Sequence, residues 1–172
     1  MTEPARADAA VAVRQAVAAD AALLARHRAE MWREMGRLPD DVYPDARRDS
    51  EAWFARAIPA GTYVGWLAAP ADRPREVVAG AGIVVRPIIP TVRPRAGRVI
   101  STDAPQGLVV NVFTERPWRR RGLGRLLMMR VIEGARALEL SSLVLHASDD
   151  GRGLYEKVGF RQTNEMRFEG EL

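Results

Sequence analysis

The chain contains no cysteine, so no disulfide and no thiolate metal site is available to it. Histidine is scarce as well: His27 and His146 are the only two, too few to build an imidazole metal centre, and no metal is expected. Long hydrophobic runs are missing too. Nothing approaches the roughly 20 apolar residues of a membrane span, so no membrane association is expected. In the alanine-rich start, "MTEPARADAAVAVRQAVAADAALLAR", the charges at Asp8, Arg14 and Asp20 interrupt every stretch that could serve as a signal-peptide core. Internal repeats and low-complexity tracts beyond that start are absent. The expectation from these absences is a soluble cytoplasmic protein.

What is present is a globular composition. Of 172 residues, 47% are hydrophobic and 28% charged, which suits one domain over 1–172 with a sizeable core, the first ten residues being expected to lack order. The net charge is +4 and the pI about 10.3, which raises nucleic acid as a partner. The positive charge, however, is mostly arginine gathered at 86–98 and 116–130, without a repeating stripe interleaved with aromatics. Local clusters of this kind also suit small phosphate ligands, and no nucleic acid is expected.

Hydrophobic periodicity predicts a strand at Val11–Ala16 and a helix from an Asp20 N-cap to about Met35. A loop at "PDDVYPDA" leads into a second helix at "RRDSEAWFARAI", with Trp53 and Phe54 turned inward. The runs "TYVGWLAA" and "EVVAGAGIVV" read as a hairpin. The proline-rich segment 87–106 reads as a long loop. There follow an apolar strand "GLVVNVFT", an amphipathic helix Gly122–Leu138, a strand "SSLVLHAS", a short helix "GRGLYEKV" and a last strand "RQTNEMRFE". The crossover around 107–147 calls for a parallel strand pair within an otherwise antiparallel sheet, so the fold class is mixed α/β.

The most distinctive stretch is "RPWRRRGLGRLLMMR", Arg116–Arg130, with six arginines, two glycines and no acid in fifteen residues. A glycine-containing turn that enters a helix presents unpaired backbone N–H groups, the positive end of the helix dipole and arginine donors to one point, which suits a diphosphate. The spacing is neither the dinucleotide fingerprint nor the P-loop.

"RRRGLG", Arg119–Gly124, resembles the [QR]-x-x-G-x-[GA] signature of the GCN5-related N-acetyltransferase (GNAT) family. "LVVNVFT" is similar to that family's fourth strand, and "SSLVLHASDDGRGLYEKVGF" to its fifth strand, fourth helix and following turn. The resemblance implies a mainly antiparallel sheet with flanking helices and a parallel pair splayed at the cofactor site. It also implies acetyl-CoA as co-substrate, its pyrophosphate on Arg119, Arg120, Arg121, Gly122, Leu123, Gly124 and Arg125. A backbone N–H beside a bulge within Val112, Phe113 and Thr114 would stabilise the developing oxyanion, and Tyr155 would protonate the leaving thiolate. Two positions depart from the family pattern: Ser148 replaces an asparagine but can still hydrogen-bond near the thiol, and Gly151 replaces an alanine.

The general base stays open among His146, Glu30, Glu34, Glu115 and water. Asn111 is a candidate to orient substrate, with Glu30 and Glu34 bordering the acceptor. Residues 30–51 carry a net charge of −3, opposite in sign to the cofactor side, which suits a cationic amine. The implied activity is direct N-acetylation of a small-molecule amine, with a protein amine as second choice and a homodimer possible. The alternatives are a non-catalytic acyl-CoA sensor on the same fold and a basic nucleic-acid binder.

Overall fold

A computed structural model of the chain describes residues 10–163 and 165–166. Five strands form the main sheet: β1 (Val11–Gln15), β2 (Tyr63–Pro70), β3 (Ala79–Arg86), β6 (Gln106–Thr114) and β7 (Ser142–Leu145), in the order β1-β2-β3-β6-β7. All neighbours are antiparallel except β6 and β7, which run parallel. This is the mixed α/β class that the alternation of strand and helix patterns predicts.

Helix α1 (Ala21–Glu34) and helix α2 (Tyr43–Ala57) cover one face, and helix α3 (Leu123–Ala137) the other. Leu24, Ala25 and Phe54 pack with Tyr63 and Leu67 on the first face. On the second, Leu127, Met128 and Val131 pack with Ala81, Ile83 and Val109. The period-2 alternation of β6 serves both cores, because successive side chains leave a strand on opposite faces. A short helix α4 (Asp149–Lys157) follows β7.

A trough crosses the sheet under α1. Gly65 and Gly82 stand opposite each other in the β2–β3 register, and the ring of Tyr63 lies in the gap. A methyl group at Gly82 would approach the Tyr63 hydroxyl to 2.2 Å, and one at Gly65 would meet the ring at 2.9 Å. The missing side chains therefore aim the tyrosine along the sheet towards β6.

Several sequence expectations are corrected. Segment 87–106 is not a structureless loop but holds a hairpin of β4 (Thr91–Arg95) and β5 (Arg98–Thr102), turned through Ala96 and Gly97, both with positive φ. Its prolines mask the strand pattern, which two-stranded edges tolerate. Helix α2 begins at Tyr43 rather than after the loop, with Pro44 in its first turn, where a missing N–H costs nothing. Phe54 is buried but Trp53 is 38% exposed, since adjacent helical residues point about 100° apart and cannot share one face. Strand β7 stops at Leu145, so His146 lies beyond it. Of the expected final strand, 161–163 and 165–166 adopt no regular structure and the remainder lies outside the described residues, as do residues 1–9. Among the described residues no helix is long and apolar enough to cross a membrane.

Candidate functional site

Strands β6 and β7 pair only from Gln106 with Ser142 to Val109 with Leu145. Beyond that point β6 continues for five residues without a neighbour on that side among the described residues, and the two strands open into a wedge. At the same place β6 bulges. Gly82 faces Val110 and Gly80 faces Phe113, so three steps on β6 match two on β3. Asn111 takes the extra turn with φ 57, a left-handed conformation that asparagine tolerates better than other side-chain-bearing residues.

The turn from β6 into α3 closes one side of the wedge. Trp118 is buried beneath it. Arg120 and Gly122 both have positive φ, 63 and 80, and alternating backbone of this kind gathers successive N–H groups into a concavity for an anion. Gly122 is the residue from which α3 starts, and its φ rather than any crowding demands glycine. Gly124 is small for another reason, because a methyl group there would lie 3.0 Å from Leu154 of α4.

The arginines of this turn do not act alike. Arg120, Arg121 and Arg125 are exposed, with Arg121 lying 5.0 Å over the Trp118 ring. Arg119 instead donates to the Thr114 carbonyl at 2.8 Å and to Glu34 at 2.5 Å. It buttresses the turn, a role beyond the phosphate contact that the resemblance implies for it.

Across the wedge, Ser148 caps α4, its hydroxyl accepting from the Gly151 N–H at 3.2 Å, a bond that leaves the hydroxyl proton able to donate elsewhere. Gly151 makes room for Tyr155, whose ring a methyl group at that position would meet at 2.9 Å. Tyr155 packs edge-on to Phe160, at 6.2 Å between centroids. Burial raises its pKa, which keeps the hydroxyl protonated and suits it to donate. His146 is exposed, with Nε2 3.3 Å from Glu165.

On the α1 side, Glu30 accepts from the Tyr43 hydroxyl at 2.7 Å and pairs with Arg33. Glu34 pairs with Arg116 and Arg119. Burial alone would raise the Glu34 carboxyl, yet the hydrogen bonds from the two arginines outweigh it and hold the pKa below the ordinary value. Asp40 and Asp45 pair within the segment, with Arg33 and Arg48, and Glu34 is the acid of this segment that meets arginines from outside it. Glu115 pairs with Arg26 at 2.7 Å and lies 3.5 Å from the buried His27, which packs on Phe113. Asn111 is 3% exposed. Its amide accepts from Arg28 at 3.0 Å and donates to the Leu24 carbonyl at 3.4 Å, so it ties the bulge to α1 instead of facing a substrate. Val112 packs into the α3 face.

Residues 97–171 match the family model described as an acetyltransferase (GNAT) domain. The fold is that of the GNAT acetyltransferases. A GCN5-related N-acetyltransferase from Ralstonia eutropha JMP134 is 27% identical, with a TM-score of 0.76 over 92% of this chain and 97% of that one. A predicted acetyltransferase from Clostridium acetobutylicum, solved with acetyl-CoA, is 24% identical with a TM-score of 0.75, covering 94% and 96%. An aminoglycoside acetyltransferase from an uncultured soil metagenomic sample is 15% identical with a TM-score of 0.65, covering 95% and 99%. No curated relative matches the chain.

Within this GNAT fold the wedge brings together the β6 bulge, the Arg119–Gly124 turn and the α4 region of Tyr155. It leaves His146 outside, on the surface. Arg28 and Tyr63 escape a motif-based reading of the sequence, since neither belongs to one. The nearest sequence signal is Gly65 and Gly82 on two adjacent predicted strands, a hint that something bulky lies across them.

Proposed function

We propose that the protein transfers an acetyl group from acetyl-CoA to the primary amine of a small molecule by direct attack. The observation that carries this reading is the coincidence of the β6–β7 wedge with the bulge at Asn111 and the anion-gathering turn at Arg120–Gly122. Support also comes from the similar proteins, named as acetyltransferases, one of them solved with acetyl-CoA.

In this reading, the backbone donors opening α3, with Arg120, Arg121 and Arg125, hold the pyrophosphate. Gly122 and Leu123 shape the turn, Gly124 lets α4 approach, and Arg119 braces it through Thr114. A backbone N–H within Val112–Thr114 meets the charge that develops on the thioester oxygen. Tyr155, kept protonated by its burial, donates to the departing thiolate. Glu30, Glu34 and Glu115 are each engaged by arginine, and the two arginines on Glu34 hold its pKa low, which weakens it as a proton acceptor. His146 is exposed and paired with Glu165. The amine therefore loses its proton to water in the wedge.

The test is release of free thiol from acetyl-CoA in the presence of a panel of amines, followed by mass analysis of the products. Amine-dependent release with acetylated product supports the transferase. Tight binding of acetyl-CoA without release from any amine would favour a sensor instead.

A further inference from the structure

Among the described residues, Arg28 is a cation without an anion. Its guanidinium is half-buried on the inner side of α1, stacked 4.0 Å over the Trp32 ring. One nitrogen donates to the Asn111 amide, and no carboxylate among the described residues pairs with it. Beside it lies a second unmet group. The Tyr63 hydroxyl is fully buried and makes no hydrogen bond, and it sits close enough to Arg28 for the two to interact electrostatically. Proteins rarely leave a buried hydroxyl without a partner, because the desolvation is then uncompensated, and a half-buried charge without a counterion is costlier still. Both adjoin the β6 bulge where the acetyl group is expected to be presented: Arg28 donates to Asn111 of the bulge, and the Tyr63 hydroxyl lies against Gly82, which faces Val110.

We propose that Arg28 and Tyr63 form a subsite for the carboxylate of the acceptor, so that the favoured substrate is an amine that also bears a carboxylate, in the manner of an amino acid. This rests on the transferase reading and narrows it. The planar fork of arginine matches a carboxylate bidentately, and the Tyr63 hydroxyl supplies a third donor. A single positive charge balances a carboxylate, whereas a phosphate dianion would leave negative charge in a partly desolvated place. Burial already pulls the Arg28 pKa down, the direction a missing counterion leaves uncorrected. The reading keeps the expectation of a cationic amine and adds a carboxylate to the same acceptor. Trp32 and Asn111 hold the guanidinium in place and so act as positioning residues.

The experiment compares one amino acid scaffold in three forms, with its carboxylate, as the primary amide and as the phosphonate. Each is titrated calorimetrically against the native protein, Arg28→Gln, Arg28→Lys and Tyr63→Phe, and each is assayed for thiol release. The expected result is binding of the carboxylate form at least about tenfold tighter than the amide. Arg28→Gln should abolish that preference, Arg28→Lys restore part of it, and Tyr63→Phe reduce it less. Arg28→Gln should melt no lower than the native protein without ligand, because it removes an unpaired charge and can keep the bond to Asn111. Equal binding of acid and amide, or a preference that survives Arg28→Gln, would overturn the subsite even if thiol is released. Tighter binding of the phosphonate would overturn the assignment to carboxylate. Arg28-dependent binding of the acid with no thiol release from any form would support the subsite and remove the transferase reading.

Discussion

The two sides of the wedge are built by different means. The turn at Arg119–Gly124 is made of consecutive residues, exposed, with its ligand groups on the backbone. The α1 side is made of side chains brought from far apart, Arg28 to Asn111 across 83 positions and Arg119 to Glu34 across 85, and much of it is buried. A local backbone device tolerates change in its side chains but not in its φ angles. A long-range side-chain device behaves the opposite way, since each member is oriented by the others. Substitutions on the two sides should therefore fail differently, one side losing cofactor affinity with the fold intact, the other changing acceptor selectivity at Arg28 or the pH response of stability at His27.

The largest effect is expected where chemistry is touched and neither device is. Tyr155→Phe keeps the ring against Phe160 and removes the proton donor, so kcat should fall by about 10²-fold, near the low end for a general acid because thiolate leaves readily. Acetyl-CoA affinity measured by titration should hardly change. Equal kcat would remove Tyr155 from the reaction.

The next effects sharpen the contrast within the turn. Gly122→Val forces a β-branched residue to φ 80 and should raise the acetyl-CoA Kd by about tenfold or more. Gly124→Ala meets only the tip of Leu154, which can move aside, and should change Kd by about threefold or less. Replacing Arg120 and Arg121 together by Ala should weaken binding and flatten its salt dependence. A larger loss at Gly124 than at Gly122 would reverse the assignment of the two glycines.

The buried side should show itself through pH. Burial, and then the Arg26 charge, push the His27 pKa down to about 4 against the pull of Glu115, while the unfolded chain titrates near about 6.5. Between those values the unfolded state binds more protons. Stability is therefore fully present above about pH 6.5 and declines as pH falls towards about 4, by at most about 1.4 kcal/mol per pH unit. Denaturant titrations across that window should show the slope, and His27→Gln should flatten it. An unchanged slope would mean that His27 is not held neutral.

The smallest effect belongs to the brace between the two sides. Glu34→Gln leaves Arg116 and Arg119 without their carboxylate, and because the arginines are substantially exposed the cost should be about 1 kcal/mol or less in denaturant titration. A much larger loss would mean that the brace is structural rather than auxiliary.

Legibility from sequence follows the same divide. The pyrophosphate turn, α3 and the parallel crossover are local patterns of glycine, arginine and helical spacing, and their element boundaries read within a few residues. The hairpin in 87–106 was hidden by prolines that usually exclude strands. Arg119 stands where the resemblance puts a phosphate ligand, yet it also braces Glu34 across 85 positions, a partner that no local window contains. The subsite at Arg28 was illegible for the same reason. An arginine in the middle of an amphipathic helix looks solvated until the fold shows which strand residue it meets.

The Tyr63 ring lying across Gly65 and Gly82 has a consequence for anyone varying this sequence. A smaller residue at 63 leaves a ring-sized void in the sheet face, and a methyl group at 82 collides with the ring's hydroxyl. Yet a larger side chain at 82 or 65 combined with a short one at 63 removes the collision and refills part of that volume. Single-site libraries would score all three positions as intolerant, while paired libraries would find compensated combinations. For mutational purposes, residues 63, 65 and 82 are a single variable.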